Sequence, residues 1–115
     1  MKNVHEHRAE PWGPKVLFTQ DLDALKALAK KYPIDISGIE GDSEGLCWSV
    51  GSSFIIWLSP GASAGVLVHE CTHAALDIID WVGFSAHSAA GEPMCYTVQR
   101  MFDAFLPHLL PSSAS

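Results

Sequence analysis

Ala64-Gly65-Val66-Leu67-Val68-His69-Glu70-Cys71-Thr72-His73-Ala74-Ala75-Leu76-Asp77-Ile78-Ile79-Asp80-Trp81-Val82 reads as one helix, stopped by Gly83. It is apolar nearly all round, as buried helices are. One polar stripe crosses it: His69, His73, Asp77 and Asp80, at spacings of four, four and three. Such spacing stacks the four side chains on one face. Burying that many polar groups costs several kcal/mol unless they find partners, roughly 2–7 kcal/mol each. A metal ion or a solvent-filled cleft resolves the conflict.

His69 and His73, one turn apart, have the spacing that lets two imidazoles share a tetrahedral Zn²⁺. Glu70 lies about 100° round the helix from His69, placed to reach a water at the metal without binding the metal itself. Zinc acidifies water, and a carboxylate so placed accepts the proton and later delivers it to a leaving group. The plainer reading is two core histidines hydrogen-bonded to backbone. The position in mid-helix, after a hairpin, favours metal.

A catalytic zinc takes about three protein ligands and keeps one position open. The metzincin pattern needs glycine at position 76 and histidine at 79, and Leu76 and Ile79 exclude it. Glu92, 19 residues after His73 and the only glutamate beyond the motif, is the leading third ligand. Its plainer reading is a helix-start acid beside Pro93. His87, in the loop between, is the alternative. Asp77 is placed to accept the remaining N–H of a ligand imidazole. Tyr96, one turn after Glu92, is placed to donate to an oxyanion. His5, His7 and His108 fall in terminal segments and read as bystanders.

Upstream, residues 1–13 read as a loose arm, and Lys15–Phe18 as a short strand. Thr19 is the expected N-cap of a helix from Gln20 to Lys31, with Leu22, Leu25, Leu28 and Ala29 on its buried face. Residues 34–45, acidic and glycine-rich, read as loop with room for a short strand. Leu46–Val50 and Phe54–Leu58 read as strands joined by a hairpin at Gly51-Ser52-Ser53. Downstream, residues 84–91 read as loop, and Glu92–Phe105 as a last helix with Met94, Cys95, Val98, Met101, Phe102 and Phe105 on one apolar face. Residues 107–115 read as a frayed end. The order predicts one α+β domain: a small, mostly antiparallel sheet with three helices packed on one side.

Composition agrees with a globular chain. Of 115 residues, 48% are hydrophobic and 17% charged, enough for one modest core. The net charge of −6 and the scattered Lys and Arg argue against a nucleic-acid partner. The N-terminal stretch is polar, without the apolar run of a secretory signal. No run is long enough to span a bilayer, so no membrane partner and a cytoplasmic location are expected. Three cysteines, Cys47, Cys71 and Cys95, each among apolar neighbours, read as reduced, buried small hydrophobes.

The run Val66–Ala75, followed by Gly91-Glu92-Pro93-Met94-Cys95-Tyr96, resembles the gluzincin arrangement of HExxH plus a downstream glutamate. The short chain is similar to minimal gluzincins, and to small metallopeptidases encoded by tailed bacteriophages. The likeness spans roughly residues 46–106. It implies a zincin-like catalytic core, with zinc on His69, His73 and Glu92 and with Glu70 as general base. It also implies that the strand Phe54–Leu58 pairs with an extended substrate. The expected activity is cleavage of peptide bonds in a peptide or protein, in the host cytoplasm if the chain is phage-encoded. The alternatives are a metal-binding regulatory module and a zinc amidase acting on a non-peptide amide.

Overall fold

The computed structural model describes residues 2–39 and 44–110. Its strands are β1 (His5–Arg8), β2 (Lys15–Thr19), β3 (Gly45–Val50) and β4 (Ser53–Leu58), and its helices α1 (Leu22–Lys31), α2 (Ala64–Trp81) and α3 (Glu92–Phe105). Short 3₁₀ turns stand at Ser37–Ile39 and Leu106–His108. The strands form one sheet in the order β1-β2-β4-β3. β1 and β3 pair antiparallel with β2 and β4, while β2 and β4 run parallel. The class is α+β with a mostly antiparallel sheet, as the sequence predicts.

The helices lie on both faces, not one. Val16 and Phe18 of β2, with Phe54, Ile56 and Leu58 of β4, pack against Leu67, Cys71, Ala74, Ala75 and Ile78 of α2 and Met101 and Phe105 of α3. On the other face Leu17, Ile55 and Trp57 meet Leu25 and Leu28 of α1, covered by Leu46, Trp48 and the isoleucines at 34, 36 and 39. Alternate side chains of a strand point to opposite faces. β4, apolar at every position from Phe54 to Leu58, is therefore buried on both sides.

Of the expected loose arm at 1–13, residues 2–13 are held in place and residue 1 lies outside the described residues. β1 pairs along its whole length with β2, Ala9 is buried, and the Trp12 indole donates to Thr97 Oγ1 at 3.0 Å. Asp21, not Thr19, caps α1, accepting from the N–H groups of Asp23 and Ala24. The Thr19 hydroxyl instead donates to the Asn3 carbonyl at 2.7 Å. Leu22, expected on the buried face of α1, is exposed. Of the expected frayed end, residues 107–110 are held, with the Leu110 N–H donating to Gln20 Oε1 at 2.9 Å, while 111–115 lie outside the described residues. Among the described residues no helix is long and apolar enough to cross a membrane.

Candidate functional site

Ser63 caps α2, accepting from the Val66 N–H at 3.3 Å. The helix lies on the sheet beside the edge strand β3. Its core face buries Leu67, Cys71, Ala74, Ala75 and Ile78 against the sheet. The opposite side is open, and the His69 side chain is 66% exposed. The polar stripe runs along the flank facing β3. Open lobes of about 490 and 320 Å³ share Gly45, His69 and Glu70 as lining, and the smaller also reaches Cys47, His73 and Asp77.

Glu70 sits on the floor of this groove, only 6% exposed. Among the described residues no group donates a hydrogen bond to its carboxylate, and His69 Nε2 stands 4.0 Å from Oε2. Burial pushes its pKa up, an effect the two histidines oppose. Partial desolvation of a carboxylate is costly, and the two open lobes that Glu70 lines leave room beside it for a water or a cation.

The edge strand makes room for it. A Cβ on Gly45 would stand 3.0 Å from Glu70 Cγ and 3.1 Å from both Glu70 Oε2 and Val66 Cγ1. The missing Cβ of Gly45 lets β3 approach this closely without displacing either side chain. Two residues on, the Cys47 thiol is pushed up to about 12 by burial and by Glu70 and Asp77. The thiol of Cys71, beneath the helix, is also pushed to about 12, by burial and Glu70. Two residues further along β3, the Ser49 hydroxyl donates to Asp77 Oδ2 at 2.7 Å. Gly45 and Ser49 are site residues that the sequence analysis misses. Contact across a groove leaves no spacing signal along the chain.

His69 and His73 come together with ring centroids 4.9 Å apart and planes at 70°. Two imidazoles so placed, with a carboxylate beside one of them, fit the donor chemistry of zinc at two positions. Among the described residues no three His, Cys, Asp or Glu side chains are gathered closely enough to hold a metal. Glu92 is exposed at the start of α3, which packs beside α2 and reaches β1, at the opposite edge of the sheet from β3. His87 is exposed just before the turn at Ser88–Gly91. Tyr96 lies on the outer face of α3 with the Arg100 guanidinium over its ring at 4.9 Å. The structure therefore unites His69, Glu70, His73 and Asp77 along one groove and leaves Glu92, His87 and Tyr96 outside it.

Three smaller expectations change. Cys95 is exposed, not buried. β4 lies between β2 and β3 and has no free edge for a substrate, whereas β3 is a sheet edge and borders the groove. His5 and His108, expected as bystanders, stack at 4.0 Å and 14° beside a separate cavity of about 680 Å³. Imidazole lone pairs lie in the ring plane, so two parallel stacked rings cannot both aim at one ion.

Comparison of the chain with family models, with curated proteins and with solved structures returns no match in any of the three.

Proposed function

We propose that the chain is a zinc-dependent hydrolase of the zincin kind, a metallopeptidase. The observation that carries this reading is the buried carboxylate of Glu70, to which no group among the described residues donates a hydrogen bond, beside two exposed imidazoles that share its groove. His69 and His73 would hold the ion. Zinc supplies Lewis acidity to a water and to a substrate carbonyl. Glu70 takes the proton from the attacking water and returns it to the leaving nitrogen. Gly45 stands against that carboxylate from β3, and the outer edge of β3, unpaired among the described residues, is the place for an extended peptide to pair.

Glu92 is the proposed third ligand. It is the only glutamate after the motif, and it begins the helix that packs beside α2. Reaching the metal requires the first turn of α3 to swing. The joint before it, with Ala89 and Ala90 at positive φ (50° and 58°) and Gly91 at 79°, is where strain is stored. Glu92→Gln is expected to weaken zinc binding about tenfold or more. Unchanged affinity, measured against a chelator of known strength, removes Glu92 from the ligand set and leaves the histidine pair.

One observation favours a second reading, a metal-binding module without turnover: among the described residues only two imidazoles are gathered, not three ligands. Glu70→Gln separates the two readings. Under the hydrolase reading the variant keeps zinc and loses peptide cleavage by about 10²–10⁴-fold. Equal cleavage by both proteins, or none by either with zinc bound in each, overturns the peptidase.

A further inference from the structure

β1 meets the C-terminal turn through two imidazoles. His5 and His108 stack with ring centroids 4.0 Å apart and planes at 14°. His5 leans in turn on the buried ring of Phe18, at 6.0 Å. Beyond the stack, the Leu110 N–H donates to Gln20 Oε1 at 2.9 Å, and half-buried Leu109 packs on the core. These residues wall a cavity of about 680 Å³.

Neutral imidazoles stack as other planar rings do. Two imidazolium ions at this separation repel, so the first proton on the pair opposes the second. A carboxylate beside the rings would offset the repulsion, but among the described residues none stands within 4.0 Å of either. Asp21 lines the same cavity, and its oxygens are already engaged. Oδ1 accepts from the N–H groups of Asp23 and Ala24, and Oδ2 from the Asn3 amide at 2.6 Å, with Lys2 acting on the same carboxylate. The next charges gather around His7, which stands edge-on to Phe105 in a cleft shared with Arg8, Glu10, Arg100 and Asp103. The charge that acts on His5 is that of His108, and with burial it pushes the His5 pKa down.

We propose that the His5–His108 stack is a pH-sensitive latch that holds the C-terminal turn on β1 and releases it, ahead of global unfolding, when both rings are protonated. The latch is closed above the ordinary imidazole value of 6.5 and opens as the pH falls below it. Release opens the cavity onto Phe18, so acid presents an apolar surface that neutral pH covers. The latch is independent of the metal reading.

The test reads amide exchange at Leu109 and Leu110 in the full chain, as protection factors at about pH 7.5 and about pH 5.0. In acid, wild type is expected to lose about fivefold at both amides, the factor for two unit charges 4 Å apart in water, while amides of β4 keep their protection. His5→Phe and His108→Phe each keep a ring in the stack and remove one charge, and both are expected to abolish the loss. His7→Phe is expected to retain it. Equal wild-type protection at the two pH values overturns the latch, as does a loss that persists in both single variants or that β4 shares in full. Imidazole ¹⁵N titration of wild type, which needs no variant, is expected to show two separated protonation steps. Coincident steps at the ordinary value overturn it as well.

Discussion

At the scale of single residues, Gly45 and Glu70 determine one another. The glycine lets the edge strand close over the carboxylate, and the carboxylate is desolvated because the strand is there. Gly45→Ala places a methyl 3.0 Å from Glu70 Cγ. The Glu70 and Val66 side chains, or the strand, must then yield by a few tenths of an ångström. The expected result is a lower denaturation midpoint together with a loss of cleavage larger than the loss of zinc. Wild-type stability and turnover in this variant would mean that β3 does not press on Glu70. The sequence shows the motif residues plainly, because four-residue spacing on a helix is a local signal. It hides Gly45 and Ser49, whose roles exist only across the groove.

Elements differ in how legibly they are written. α3 matches its expected bounds and α2 ends one residue early, since a helix with cap and breaker carries its own boundaries. β1 is His5-Glu6-His7-Arg8, with no apolar residue to alternate. It becomes a strand through pairing with β2 and through its imidazoles, with His5 stacked on His108 and His7 edge-on to Phe105 at 6.0 Å. This packing has a consequence in pH. Burial lowers the pKa of His5, helped by the charge of His108, below the ordinary 6.5. Burial also lowers His7, with Arg100 acting in the same sense and Glu10 opposing. At these two histidines the folded chain thus binds protons less readily than the unfolded one, and their contribution to stability falls as the pH drops through the unfolded value. Denaturant titrations at about pH 7.5 and about pH 5.5 are expected to show the lower midpoint in acid, with a shallower drop in His5→Phe. No such drop would mean that β1 holds its histidines in water.

Across the whole molecule, the fold class is legible and the layering is not, though the signal was present. Five consecutive apolar residues in β4 mark a strand buried on both faces, which requires a helix on each. That arrangement places α1 behind the sheet and sets α2 against β3, so that the polar stripe of a mostly apolar helix opens onto a groove at the sheet edge. The central claim is that this stripe holds a metal. Its most direct test is equilibrium dialysis of the purified chain against zinc, counting metal per chain for wild type and His73→Ala. The expected result is about one zinc per wild-type chain and loss of it in the variant. Wild type that retains no stoichiometric zinc contradicts the account.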